Sequence, residues 1–365
     1  MILYAGLTLW VFIILLIGLR PDSTEAANCW PRLPVGRVAN SNKRIASFLV
    51  AITFLLLWFL TAFRSAAIGN DTSTYIRYFF IFSEGMDPER TFEPGYQALN
   101  YLISKVTMDP HIFLIIIATI MYGGVIWNVH KYSKNTAISL CLFFCYFFTV
   151  FTSIFRQGIA MVIALYGYQL LKEGKKLPAA LLFLFAMLFH TTAIVCFLLF
   201  LDVETLKKKW FVFGLTFFSI LICSSGLLRT IITAVVPRYT HYFESKYASS
   251  GWLAVSYNLI VYSIWFVLIS RSVNKKDKSD RVVATNFALL LIISSFGFAV
   301  NLFTRAAQYF LLIATVEIPN ILYRDKVKQF RLWLFILCTL LLVMFLITLI
   351  YRPGWNHMYP YEFWS

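Results

Sequence analysis

The sequence predicts an all-α polytopic integral membrane protein, and three observations carry that prediction. Its 365 residues are 60% apolar, 18% aromatic and only 13% charged. Apolar runs of about 16 to 22 residues recur along the chain, long enough to cross a hydrocarbon core as helices. When those runs are threaded back and forth, about two-thirds of the 32 Lys and Arg fall on one side, while the 17 Asp and Glu divide nearly evenly. Basic loops beside apolar spans lie in the cytoplasm, so the net charge of +15 orients the chain in a membrane and does not signal nucleic-acid binding.

Residues 1–19 are apolar, with no basic residue ahead of them and Arg20, Arg32, Arg37, Lys43 and Arg44 behind. That polarity is wrong for a cleaved signal peptide and predicts a retained first span with its N-terminus outside. Residues 46–63 return to the outer face. An outer loop over 64–110 follows, whose apolar stretches 75–82 and 96–103 predict helices lying along the membrane surface. Spans are then expected at 111–129, 136–151 and 154–171, with Lys131, Lys134, Lys172, Lys175 and Lys176 marking the cytoplasmic turns.

Residues 177–201 read as one span, yet Lys207, Lys208 and Lys209 follow on what would then be the outer side. A break at Phe189-His190-Thr191-Thr192 gives two short helices of about 18 Å each, too short for a core of about 30 Å. The segment is therefore expected to be a helical hairpin with His190 at its tip, since interrupted helices at membrane depth are tolerated where protein or water surrounds them. Spans at 210–225, 252–270, 282–302, 306–323 and 332–351 complete about 10 full crossings, with an outer loop at 226–251 and both termini outside. The whole chain is expected to form a single transmembrane domain. No internal repeat marks an inverted-repeat transporter.

Ionisable residues at the ends of spans carry a functional hypothesis because charge is costly in lipid. Arg156 opens the span at 154–171, and Arg305 is expected at the outer turn between 302 and 306, with Gln308 and Tyr309 beyond it and Glu317 deeper in the span. Two guanidiniums at outer helix ends can grip a pyrophosphate, because each offers planar paired donors and a permanent charge; snorkelling to lipid headgroups explains a single Arg equally well. His190 can act as acid or base near neutral pH, or serve as a hydrogen-bonded bundle histidine. Asp71, with Tyr75 near it, and Glu93 in Glu93-Pro94-Gly95-Tyr96 supply outer carboxylates able to take a sugar hydroxyl's proton, or simply solvated acids.

Arg238 lies among Arg229, Tyr239, His241, Tyr242, Glu244, Lys246 and Tyr247, a mixture suited to stacking sugars or headgroups and equally to an interfacial aromatic belt. Cys29 falls in a cytoplasmic loop. Cys141, Cys145, Cys196, Cys223 and Cys338 fall in apolar spans, so no outer disulfide is implied. No HExxH, P-loop, GxSxG or dinucleotide fingerprint is present, which leaves metal and nucleotide chemistry without support.

The order of Asp71 and Tyr75, Glu93-Pro94-Gly95-Tyr96, Arg156 with Gly158-Ile159-Ala160, Phe189-His190-Thr191-Thr192-Ala193, Thr304-Arg305 with Tyr309, and Pro360-Tyr361 resembles the EpsG-like membrane proteins of bacterial exopolysaccharide clusters, relatives of Wzy-type polymerases. The resemblance implies a metal-independent, cofactor-free polymerase similar to the C-type lipid-linked glycosyltransferases. It would transfer a glycan from polyprenyl pyrophosphate to a lipid-linked repeat unit on the outer face of the bacterial inner membrane. Its partners would be that lipid-linked oligosaccharide, membrane lipid, and a chain-length regulator and flippase of the same pathway. The implied roles are catalysis by Asp71, Glu93 and His190, and substrate binding by Arg156, Arg305, Tyr309, Arg238 and Tyr75. A lipid-linked oligosaccharide transporter or flippase, and an O-antigen ligase, are the alternatives.

Overall fold

The computed structural model describes residues 1–19, 36–86, 92–201, 208–235, 251–274, 276–322, 328–352 and 354–364. These are helical throughout, with turns between helices and one isolated bridge, Arg64 to Phe363. The helices run α1 (Ile2–Gly18), α2 (Gly36–Ala62), α3 (Thr72–Ser83), α4 (Pro94–Ser104), α5 (Pro110–Tyr132), α6 (Thr136–Phe151) and α7 (Phe155–Lys172). After α8 (Lys176–Met187) comes a 3₁₀ helix, Thr191–Phe200. The order continues with α9 (Lys209–Ser224), α10 (Leu227–Val235), α11 (Trp252–Ser272), α12 (Lys278–Ser295), α13 (Asn301–Leu322) and α14 (Lys328–Tyr351).

Helices overlap the expected spans, and the one expected at 282–302 is interrupted at the turn Phe296–Phe298. Four described segments are long and apolar enough to cross a membrane: Pro110–Tyr132, Trp252–Ser272, Lys278–Phe298 and Arg331–Tyr351. The others expected to cross are shorter or more polar, α1 and α6 having 17 and 16 residues. The stretches at 75–82 and 96–103 fall within helices α3 and α4.

Two compact units divide the described residues: Met1–Val162 with Asp325–Ser365, and Ile163–Arg324. In the first, α6 is the central helix. Eleven of its residues are buried, and α1, α2, α5 and α14 pack around it. A helix apolar on every side belongs inside a bundle. In the second unit α12 plays that part, buried almost continuously from Val283 to Ser295 between α11 and α13.

Apolar contact gains little over lipid, so hydrogen bonds between helices help fix the packing, at roughly 0.6 kcal/mol each. In the first unit, Trp10 Nε1 donates to Thr53 Oγ1 at 2.8 Å, and Thr61 and Tyr122 hydroxyls meet at 2.9 Å. In the second, Asn286 Nδ2 donates to the Phe310 carbonyl at 3.1 Å and the hydroxyls of Ser219 and Ser295 meet at 2.7 Å. The membrane-span cysteines serve as packing residues: Cys141, Cys196, Cys223 and Cys338 are buried free thiols and Cys145 is half-buried.

The segment that follows α2 is held by Arg64, which is fully buried. Its guanidinium donates to the carbonyl oxygens of Thr61 and Thr152, to Thr72 Oγ1 at 3.4 Å, and through Nε to the Ile68 carbonyl at 3.3 Å. Thr61 lies in the last turn of α2 and Thr152 caps α6, so the cation sits where two helix dipoles present their negative ends. Burial lowers its pKa to about 10, which leaves it charged at neutral pH.

The C-terminal tail closes over this corner. Asn356 O accepts from Gly69 N at 2.9 Å, Glu362 O from Ser65 N at 2.9 Å, and Phe63 O from Trp364 N at 3.0 Å. The Trp364 ring stacks on His111, and the Tyr361 hydroxyl donates to the Leu60 carbonyl.

Gly69 fits this corner because it adopts φ +89° and because a Cβ there would lie 2.3 Å from the Thr152 carbonyl oxygen. Gly69→Ala is expected to lower stability by about 1–3 kcal/mol, read as the thermal midpoint in detergent. Gly85→Ala is the control, since Gly85 also has positive φ but faces open space, and its loss should be the smaller of the two.

Two local differences from the sequence reading bear on the site. The hairpin breaks where expected, but its second arm is a 3₁₀ helix of ten residues, about 20 Å long at about 2 Å per residue. The arms pair through Phe183, whose ring meets those of Phe197 and Phe200. The other difference concerns Arg305. The chain turns earlier than hydropathy predicts, at the 3₁₀ turn Phe296–Phe298, so Arg305 lies inside α13 and not on a turn. Residues 296–303 are mostly apolar, and apolarity does not distinguish a tight turn from a continuing helix.

Candidate functional site

In the first unit, α3, α4 and the start of α7 gather four of the expected residues. Glu93 is the N-cap of α4 with Pro94 in the first turn, where the missing amide proton has no helical partner to lose. Its carboxylate makes no cap bond, and turns to Arg156 instead. Arg156 Nη1 and Glu93 Oε2 are 2.5 Å apart, with 14% and 15% of the side chains exposed, so the pair is largely shielded from water. Partial burial makes such a bond stronger than a surface ion pair.

Aromatic rings complete this cluster. The Arg156 guanidinium lies over the Phe92 ring at 4.5 Å. Tyr75 stacks on Phe155 at 4.5 Å and also interacts with Arg156. Tyr96 meets Tyr75 edge-on at 5.7 Å. Burial, with Tyr75 beside it, pushes the Tyr96 phenol well above its usual pKa, so it remains a neutral side chain. Gly158 lets α7 approach α5 here, since a Cβ would lie 2.9 Å from the Met121 sulfur.

Asp71 is the N-cap of α3, one helical turn before Tyr75 and half-buried. Its carboxylate accepts no cap bond and no ion pair among the described residues. The loop behind it is pinned, because Asn70 N donates to Ser153 Oγ at 3.0 Å and Asn70 Nδ2 donates to Asn356 Oδ1 at 3.3 Å. Thus the corner built on Arg64 and the tail fixes where Asp71 stands.

In the second unit, His190 is the N-cap of the 3₁₀ helix. Its Nδ1 accepts from Thr192 N at 3.3 Å and lies 2.6 Å from Thr192 Oγ1, which in turn is 3.3 Å from the Tyr309 hydroxyl. Tyr309 is buried. Arg305 precedes it by one turn on the same face of α13 and is exposed. This unit also buries Glu317, 1% exposed, in an ion pair with Lys172 at the end of α7; Asn320 Nδ2 reaches its other oxygen at 3.4 Å. Arg238 lies outside the described residues.

Sequence reasoning missed Arg64, Thr192 as a link, and Asn356. An Arg at a span end looks like a snorkelling residue, and nothing local announces that a tail residue nearly three hundred positions away will meet it.

The family model described as the EpsG family matches residues 47–363. The chain belongs to the EpsG family. That match covers both clusters and the tail, and EpsG membership suggests a polysaccharide polymerase-type role for an integral membrane protein. No curated protein and no solved structure is significantly similar to this EpsG-family chain.

Proposed function

We propose that the protein is a glycosyltransferase that extends an exopolysaccharide or O-antigen on the outer face of the bacterial inner membrane. It takes a glycan from polyprenyl pyrophosphate and joins it to a lipid-linked repeat unit. About ten crossings, both termini outside and a membrane-embedded hairpin belong to the same proposal. The observation that carries it is the Arg156–Glu93 pair, shielded by Phe92 and Tyr75 at the end of a helix, in a chain of this family. A permanent cation held on an aromatic face beside a carboxylate suits a substrate with an anionic phosphate and a sugar.

The roles follow from the chemistry. Arg156 binds pyrophosphate oxygens and stabilises the charge that grows there, and Arg305 is the phosphate-binding cation of the second unit. Glu93 orients Arg156, being already engaged with it. Asp71, whose carboxylate is not so engaged, receives the acceptor hydroxyl's proton. The acceptor oxygen forms a bond to the anomeric carbon as the bond to pyrophosphate breaks, and that electron pair leaves on the phosphate oxygen. A single displacement inverts the anomeric centre. Pyrophosphate is a good leaving group, so positioning and charge stabilisation supply most of the catalysis, and no metal is required. Tyr75, Tyr309 and Arg238 contribute to substrate binding, and a flippase and a chain-length regulator are the expected pathway partners.

Purified protein given a lipid-linked repeat unit is expected to produce a ladder of longer glycans, lost in a folded Arg305→Ala variant. Passage of the unextended unit across a reconstituted vesicle, with no ladder, would replace this reading by the transporter. Transfer of finished glycan to a different acceptor would replace it by the ligase.

A further inference from the structure

The short turn Trp355–His357 in the tail holds two residues other than glycine in the left-handed region, Asn356 at φ +56° and His357 at φ +47°. L-residues avoid that conformation because Cβ crowds the following carbonyl, and Asn is among the few that tolerate it. It persists where surrounding contacts over-determine it.

Here the contacts converge on the two residues before Asp71. The Asn356 carbonyl accepts from Gly69 N at 2.9 Å, and its side-chain Oδ1 accepts from Asn70 Nδ2 at 3.3 Å and from Ser153 Oγ at 3.4 Å. Ser153 Oγ accepts in turn from Asn70 N at 3.0 Å. On the other side of Asp71, Thr72 Oγ1 lies 2.6 Å from the Ile68 carbonyl oxygen and 3.1 Å from that of Thr152. Ile68, Gly69, Asn70 and Thr72 are thus all tied to the frame, and the Asp71 carboxylate takes part in none of these bonds. Asn356 is buried, and two residues on the buried Met358 anchors the tail, its carbonyl accepting from the Tyr4 hydroxyl. All of these residues belong to the first unit.

We propose that Asn356 and Ser153 are positioning residues that hold Asp71 in the geometry for taking the acceptor hydroxyl's proton. That role rests on the polymerase reading for the proton transfer and adds what sets its geometry. As the acceptor oxygen bonds the anomeric carbon, its proton passes to the Asp71 carboxylate, which has to lie within hydrogen-bond reach of it. A side chain mounted on a bonded frame keeps that reach, and a displacement of about 1 Å costs about a hundredfold in rate.

Asn356→Gly isolates the side chain, because glycine keeps the left-handed turn and the carbonyl that Gly69 bonds. In the purified full-length protein it is expected to lower kcat for glycan extension by about 10- to 100-fold, with KM for the lipid-linked repeat unit within about twofold of wild type. Ser153→Ala should do the same. The double variant should lose little more than the worse single one, since both residues hold Asn70; losses that multiply overturn the proposal. A lower thermal midpoint with kcat per folded molecule unchanged overturns it as well, and leaves the contacts a brace for the tail.

A readout without turnover keeps the two readings apart. A spin label on Asp71→Cys, with Cys29→Ser in the background and the protein lacking the introduced cysteine as the blank, is expected to be restrained and to become mobile when Asn356→Gly is added. Equal mobility in the two proteins overturns the positioning role. If wild type builds no ladder while the label behaves as expected, the polymerase reading fails and the positioning of Asp71 by Asn356 stands.

Discussion

Arg156→Lys is expected to reduce glycan extension by about 100- to 1,000-fold in a protein that remains folded and monodisperse. Lysine keeps the charge but loses the planar fork that bonds Glu93 at 2.5 Å and lies over Phe92 at 4.5 Å. An ammonium is also more strongly hydrated, and this site is largely closed to water. Charge alone is therefore not expected to suffice.

A swap distinguishes binding from simple structural pairing. Arg156→Glu combined with Glu93→Arg rebuilds the ion pair in the opposite sense, so thermal stability should return toward wild type. The α7 end would then carry an anion facing the phosphate, and extension should stay lost. Recovery of extension in the swapped protein would show that the pair only braces α4 against α7.

Lys172→Met is expected to cost about 3–5 kcal/mol of stability, the larger of the two single losses at that ion pair. The asymmetry comes from burial. Lys172 keeps 18% of its side chain exposed and can redirect its ammonium outward, whereas Glu317 is 1% exposed and, among the described residues, has Asn320 as its other polar neighbour. Removing the lysine strands a carboxylate inside the bundle, whereas Glu317→Leu strands a cation that can reach water.

The double variant Lys172→Met with Glu317→Leu should recover most of the loss, because a buried pair replaced by apolar residues of similar size is often neutral or stabilising. Thermal unfolding in detergent and the yield of monodisperse protein measure all three. Should the double variant be stable but inactive, the pair would be serving transport or catalysis beyond its structural part.

Much of the architecture was legible in the sequence because a membrane leaves few options. Backbone groups in lipid must bond within a helix, so the expected spans coincide with helices α1, α2, α5, α6, α7, α9, α11, α12, α13 and α14. Lysines at 207–209 exposed the hairpin, because they were on the wrong side of a single crossing, and the break at His190 followed. The 3₁₀ geometry of its second arm was not legible, since Thr191–Phe200 has the composition of either helix type. The turn before Arg305 was misplaced for a related reason, as Phe296–Phe298 is as apolar as the helix it ends.

Site residues were legible as a set of types and not as partners. Arg156, Glu93, His190 and Tyr309 could be picked out because polar groups are few where lipid penalises them. That Glu93 belongs to Arg156, that Thr192 joins His190 to Tyr309, and that Arg64 rests on two helix ends all depend on contacts between segments far apart in the chain.

By itself the sequence determined the all-helical class, the place of most of the apolar helices and the short list of residues able to bind phosphate or move a proton. Those follow from local hydropathy and charge, which act over a few turns of chain. Only the tertiary structure decided which carboxylate is held by an arginine, that Thr192 stands between His190 and Tyr309, and where the tail fixes Asp71. Each of those is set by distances of a few ångströms between residues that sequence spacing does not relate.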